Sequence, residues 1–538
     1  MSGVTAEQLL VDAGMLTRCR HRIHLERNGL GAVVDLPEDP GVRQRREAAA
    51  LHRQRVFESL SELGEWAVPS GPERAAQTLA ACREGAELIW GAAFPIDADA
   101  GRRGGVEILW RQGGGYIPII VVNHRITDLR PEASAESLVV TSPLDQWSPT
   151  ADPSRRARSH LRDQLRLAHI HRMLSELELA SGEPVGGAIG LDADCILVHD
   201  LTGPLEEYDR RLADRLGILA GTVETAPSRV PECRSCPWWS SCEAELAARG
   251  DVSIVAAGSR ADVLRAVGVN TVDQLAGWVG AAPEEWQHGD FGDTVVAAQA
   301  WLAGADLVRR VPMVRVRRAD VEVDVDLESY QERGAYLWGT LLDGEYRPFG
   351  TWDPLPTADE GRAFGEFWTW LMQVRDAAVA AGKTFAAYCY SRSAEDKWLL
   401  DSARRFPGIP GVPTEAEIRA FIDSPQWVDI YQAINEQFIC PNGKGLKKIA
   451  PIAGFNWRDA EASGEASMTW YRHAVGMDGE IDLTQRTRIL EYNEDDVRAT
   501  AVLRQWMTET ANDAVPDADS MRHQFEMGSV AGQWRQAP

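Results

Sequence analysis

No run of apolar residues in this chain approaches the roughly 18 positions needed to cross a bilayer, which argues against a helical membrane protein. The opening stretch, MSGVTAEQLLVDAG, lacks a basic segment followed by an apolar one, so no secretory signal is expected and the cytoplasm is the default location. Internal repeats and low-complexity tracts are missing too, which removes solenoids and composition-biased tails. Positive charge is in short supply: 56 Lys and Arg stand against 80 Asp and Glu, a formal net charge of −24. Such a chain cannot coat nucleic acid over its whole surface. A local basic groove remains compatible with it, because salt confines each field to about 8–10 Å.

What is present is ordinary globular material, 44% hydrophobic and 25% charged, in 538 residues. That length is too great for one core and predicts roughly three or four domains. Arginines cluster at 43–47, at 154–162 and at Arg309, Arg310, Arg315, Arg317 and Arg318, each more often a solvated face than a binding site. Residues 1–250 mix helical and strand patterns; GVEILWRQGGGYIPIIVVNHRI reads as two strands joined by a glycine turn. Residues 251–310 hold two short helices around GVNT, either a helix-hairpin-helix or a plain helical linker. From about 320 three strands follow in close succession, the last two joined through Asp343-Gly344, a two-residue hairpin turn. Alternating helices and strands come next, which indicates an α/β layered sheet.

VEVDVDLES, residues 321–329, carries an acid at every second position: Glu322, Asp324, Asp326 and Glu328. Side chains two apart on a strand share a face. The row is therefore either a solvated outer face or a set of oxygens around a cation. Two later segments supply more acids. EYNEDDVRAT sets Tyr492 and Asp496 four apart, on one helical face. SAEDKW opens a helix just past a strand end, with Glu395 or Asp396 in its first turn, where α/β sheets tend to place functional groups. A strand Asp-x-Glu plus two helix acids gives four hard oxygen ligands, a set that suits Mg²⁺ or Mn²⁺. Two such ions about 4 Å apart can clamp the attacking and leaving oxygens of a phosphodiester. On this reading Glu322 and Asp324 are surface decoration.

DLE, the mid-domain acid and YNEDD resemble the RNase H-like 3′–5′ exonucleases with four acidic residues, in their tyrosine-bearing variant. GLKKIAPIAGFNWRDAEASGEAS and YNEDDVRATAVLRQW are similar to the RNase H-like domain that ends a family of RecB-like nucleases. The resemblance implies Asp326 and Glu328 as the first motif, Glu395 as the second and Asp496 as the third, with Tyr492 orienting the nucleophilic water. The broader superfamily has Asp at the second motif, so Asp396 stays an alternative. Asp429, in WVDIY, either supports the site or is structural.

CRSCPWWSSC supplies Cys233, Cys236 and Cys242. Disulfides are unexpected in a reducing cytoplasm, so the spacing reads as metal binding, with Cys19 as the fourth ligand. One distant cysteine followed much later by Cys-x2-Cys-x5-Cys resembles the iron–sulfur staple of RecB-type nucleases, which implies a 4Fe-4S cluster. Thiolates equally suit Zn²⁺. Such nucleases also need a His or Glu, an Asp, and a Glu-x-Lys pair. His52 fits the first position and Glu107 falls where the family has Asp, but YIPIIVVNHRI contains no Glu-x-Lys. Of the family's glutamine motif only Gln164 remains. The resemblance thus implies a degenerate centre in a domain that holds DNA rather than cuts it.

The expectation is a multidomain α/β protein. A RecB-type nuclease-like domain with a cysteine staple would span 1–250, a helical linker 251–310, an RNase H-like exonuclease domain 311–512 and a frayed tail 513–538. Its expected activity is metal-dependent 3′–5′ hydrolysis of single-stranded DNA in repair or recombination, with a helicase as candidate partner. RNA trimming and a non-catalytic nucleic-acid-binding scaffold are the alternatives.

Overall fold

GVEILWRQ and GYIPIIV flank Gly113-Gly114 and pair antiparallel, Ile108 opposite Ile119 and Gln112 opposite Gly115, with Gly113 at φ +62° making the turn. This hairpin lies within an eight-stranded mixed sheet. Its order is Trp66–Ala67, Leu88–Ala93, Gly105–Gln112, Gly115–Val121, Val185–Ile189, Ile196–Asp200, Val139–Ser142, Thr150–Asp152. The computed structural model describes residues 10–28, 40–129, 139–158, 160–461 and 463–528. It divides into two compact units, Met1–Glu245 and Leu246–Pro538. In the first unit, helices Leu161–Glu176 and Thr202–Ala220 bury Leu165, Leu167, Ile170, Tyr208 and Ile218 in the same core as Ile89, Leu109 and Ile120 of the sheet. Arg215 ties the chain's beginning to this core by donating to the carbonyls of Met15, Leu16 and Arg18.

The second unit is built on a five-stranded sheet in the order Glu345–Gly350, Gly334–Leu342, Val321–Tyr330, Phe385–Cys389, Trp427–Asp429. The first three strands are antiparallel and the last two join in parallel. Asp343 at φ +51° and Gly344 at φ +82° make the expected hairpin turn. The acidic strand Val321–Tyr330 is therefore central and has no solvated face. Val323 and Val325 pack into a core with Phe364, Phe367 and Trp398. Helix Leu483–Glu509 crosses the strand too, and it carries the later acids.

Short helices Ser259–Ala266 and Val272–Ala276 flank the GVNT loop, and Thr271 caps the second by accepting from Gln274 N. Past residue 512 the chain does not fray: helix Ala518–Glu526 packs on helix Phe291–Ala303 with Met521 at 2% exposure. Its apolar positions find the linker helices as a partner, which corrects the expected tail; residues 529–538 lie outside the described residues. Arginines before the acidic strand are largely structural, Arg310 pairing with Asp293 and Arg318 with Glu322 at 2.7 Å each. No helix among the described residues is long and apolar enough to cross a membrane.

Candidate active site

The row of acids on the central strand divides into two halves with different partners. Glu322 accepts from Arg318 and from the Tyr388 hydroxyl. Asp324, only 1% exposed, is gripped by Arg504 at 3.2 and 3.0 Å. These two are therefore a buried ionic network rather than the surface decoration expected, because Arg504 arrives from helix Leu483–Glu509, far away in sequence. Two turns earlier on that helix, on the same face, stands Asp496 instead of an arginine. It meets the other half of the row. Ligand oxygens of Asp326, Glu328 and Asp496 all lie within 4.8 Å of one another, the one such group of three His, Cys, Asp or Glu among the described residues.

Three carboxylates this close without a paired arginine resist ionisation. Burial, then the charges of Asp496, Glu328 and Glu395, push Asp326 well above the ordinary carboxylate range. Burial and Asp496 push Glu328 up to about 8. Burial raises Asp496 to about 6 even though Lys447, Trp457 and Tyr492 stabilise its charge. Each holds a neutral donor that fixes its rotamer: Asn493 Nδ2 donates to Asp326 at 2.8 Å, Ser467 Oγ to Glu328 at 2.8 Å and Trp457 Nε1 to Asp496 at 2.6 Å. Neutral donors orient a carboxylate without cancelling its charge, which suits a site for a divalent cation.

Glu395 opens helix Ser393–Arg405, 3% exposed, with Oε2 lacking any hydrogen-bond partner. Burial raises it to about 8, and both Asp326 and Glu328 are electrostatically linked to it. Asp396 is engaged elsewhere, accepting from Trp427 Nε1 at 2.8 Å and Arg392 Nε at 2.6 Å. Asp429 accepts from the backbone of Ser391 and Arg392 and caps the next helix at Gln432, a structural arrangement. Tyr492, 6% exposed, directs its hydroxyl to Asp496. The ammonium of Lys447 lies 4.5 Å from the Tyr492 ring centroid.

Sequence reasoning missed Asn493, Ser467, Trp457 and Lys447. Asn493 stands beside Tyr492 in the quoted motif, and the other three lie in or next to the stretch 445–467; nothing in their spacing identifies their partners. The donor set fits Mg²⁺ or Mn²⁺, hard ions that take carboxylate oxygens.

In the first unit Cys19, Cys233, Cys236 and Cys242 line one recess with Leu25, Trp238 and Trp239. Burial raises the thiols of the last three, and each feels the charge of at least one other cysteine of the set. Glu232 holds the recess together by accepting from Cys19 N at 2.7 Å and Arg22 at 2.8 Å. Of the three residues expected at the degenerate centre, His52 and Glu107 are engaged by other partners. His52, 6% exposed, turns its Nε2 to the Gly190 carbonyl at 3.1 Å. Glu107 instead meets Arg166, whose Nη2 is 2.8 Å from both carboxylate oxygens. Gln164 sits in the first turn of helix Leu161–Glu176, near Arg166 in sequence. Lysine does not occur in the chain before Lys383, so a catalytic lysine is excluded from this unit altogether.

A family model of the RNase_H superfamily matches residues 405–508. No curated protein and no solved structure matches. The matched stretch contains Lys447, Trp457, Ser467, Tyr492, Asn493 and Asp496; Asp326, Glu328 and Glu395 lie outside it and join them through the fold. The second unit thus carries an RNase H-like domain, a nuclease type of domain that implies nucleic acid as the partner and a divalent metal as the cofactor.

Proposed function

We propose that the second unit is a 3′–5′ exonuclease that hydrolyses single-stranded DNA with two divalent metal ions. The observation that carries this reading is the convergence of Asp326, Glu328 and Asp496 within 4.8 Å, each oriented by an uncharged donor and none paired to arginine. When bound, Mg²⁺ or Mn²⁺ supplies water activation and neutralises the departing oxygen. Asp326, Glu328 and Asp496 would hold the ions, and Glu395 would add its unpartnered oxygen. Asn493, Ser467 and Trp457 keep the ligand oxygens fixed, so little reorganisation is needed as charge develops. Tyr492, directed to Asp496, would orient the attacking water. Lys447 adds a positive charge beside the cluster, where a scissile phosphate would be attracted.

The test uses the full chain with Mn²⁺ and two oligonucleotides, one labelled at each end. Stepwise loss from the 3′ end is expected, reduced by about 10²–10³-fold in Asp326→Asn and Asp496→Asn, the scale on which enzymes depend on such electrostatic groups. Degradation undiminished in both variants would place the chemistry elsewhere. An RNA strand run in parallel separates DNA from RNA preference, since only contacts to the 2′-hydroxyl distinguish them.

The same proposal gives the four cysteines a 4Fe-4S cluster in preference to Zn²⁺. What supports the cluster is that the four cysteines, in the Cys-x2-Cys-x5-Cys spacing plus one distant cysteine, line one recess; the same four thiolates would also suit zinc. The cluster's part would be structural, joining Cys19 to the far end of the unit.

A further inference from the structure

The first unit has a cleft of about 620 Å³ whose walls include Arg53, Arg74, Arg166, Glu107, Phe57 and Trp90. Strands Leu88–Ala93 and Gly105–Gln112 pair with Trp90 opposite Ile108 and Ala92 opposite Val106, which sets Gly91 across from Glu107. Gly91 has φ +69°, and a Cβ there would stand 2.9 Å from Arg74 Nη2. Glycine at this position is therefore what lets the Arg74 guanidinium lie over the strand and donate to the Gly91 carbonyl. Arg166 neutralises Glu107, the only carboxylate on these walls among the described residues. Among the described residues Arg53 and Arg74 have no carboxylate partner. Three guanidiniums against one carboxylate leave the cleft positive inside a strongly acidic chain. A cation is disfavoured there, whereas a phosphodiester matches the arginine fork.

We propose that this cleft binds a single strand of nucleic acid without a metal ion. Arg53 and Arg74 take backbone phosphates, and Trp90 with Phe57, whose ring centroids are 4.7 Å apart, takes the face of a base. The size is that of a small-molecule site, suited to nucleotides splayed from one strand rather than to a duplex. The choice of nucleic acid as ligand rests on the nuclease reading of the second unit; the cleft's preference for an anion does not.

The experiment measures anisotropy of a fluorescein-labelled oligothymidylate with the full chain in EDTA, across a salt series. Binding is expected to persist without metal. Arg53→Glu/Arg74→Glu should weaken it at least tenfold and flatten the log K against log salt slope by about 1.4, two phosphates at about 0.7 each. Arg53→Gln/Arg74→Gln should lose less affinity and keep the wild-type melting temperature, which separates lost binding from lost folding. A 4-thiothymidine strand should crosslink to peptides holding residues 53–57 and 90–93. Hydrolysis of the p-nitrophenyl ester of thymidine 5′-monophosphate with Mn²⁺ reads the acidic centre separately. If that hydrolysis is absent while the glutamate variant loses binding, the cleft stands and the exonuclease reading falls. Wild-type affinity and salt slope in the glutamate variant, or crosslinks only at other peptides, would overturn the cleft.

Discussion

Gly339 and Asn493 occupy one place between them: a Cβ at 339 would lie 1.7 Å from the Asn493 side-chain oxygen. Gly339 is the residue paired opposite Asp326 in the sheet, and Asn493 donates to Asp326 while accepting from the Tyr346 hydroxyl, both at 2.8 Å. The missing side chain on the neighbouring strand is thus what allows the amide to reach the first carboxylate of the cluster. Gly339→Ala should expel Asn493, cost about 1–3 kcal/mol by overpacking, and weaken Mn²⁺ binding measured by titration calorimetry. In an Asn493→Ala background the same alanine has room, so the two changes should couple strongly. Simple additivity would show that the contact does not matter.

The acidic cluster also fixes how stability responds to pH. Glu328 and Glu395 stand at about 8 against an ordinary 4.5, and Asp496 at about 6 against 3.8. Between those values the metal-free folded chain holds more protons than the unfolded chain, so stability falls as pH rises. It is fully present below about pH 4, declines from there, and is lost by about pH 6 for Asp496 and about pH 8 for Glu328 and Glu395. Melting temperatures in EDTA should therefore decline over this window, and Mn²⁺ should raise them far more at pH 8 than at pH 5. Asp326→Asn, which removes one repelling charge, should melt higher than wild type at pH 8 in EDTA. A metal-induced rise equal at both pH values would contradict a carboxylate site.

The ion pair at the other end of the strand carries a prediction of the opposite sign. Asp324 is buried beside Arg504, itself 7% exposed, and burial pushes the carboxyl up to about 7 even with that arginine in contact. Removing one partner strands a charge in the core, a loss of about 3–5 kcal/mol. Arg504→Ala should thus lower the urea midpoint sharply. Arg504→Met combined with Asp324→Leu should recover most of it, because an apolar pair needs no charge compensation. If the double variant is no more stable than Arg504→Ala, the pairing account is wrong.

These residues show which part of a site's geometry a sequence exposes. That Asp326 and Glu328 share a face was legible because a strand repeats every second residue, and that Tyr492 and Asp496 do because a helix brings back every fourth. Glu395 could be placed at a strand end but not separated from Asp396, since only the fold assigns Asp396 to Trp427 and Arg392. Asp324 was misread for the same reason: the arginine that buries it arrives from a helix remote in sequence. Helix Ala518–Glu526 looked like a tail because its apolar face has no local partner. Periodicity reports which face a side chain takes; what covers that face is a property of the tertiary fold.

The cysteines give the most direct measurement. Cys19 lies near the start of the first unit and the other three near its end, so whatever they bind closes the chain upon itself. The thiols of Cys233, Cys236 and Cys242 are raised by burial, Cys242 to about 11, and would remain protonated without a metal. Binding must displace those protons, so occupancy should fall in acid. Protein purified without oxygen should be brown, with iron and sulfide present in equal amounts, and Cys19→Ser should lose both colour and iron. That variant should also melt lower, because a cluster bound by the folded unit and not by the unfolded chain adds its binding free energy to stability. Its Mn²⁺-dependent hydrolysis should survive if the second unit alone performs the chemistry. A colourless wild-type protein containing zinc would reverse the assignment, and the recess would be a zinc staple serving the same structural end.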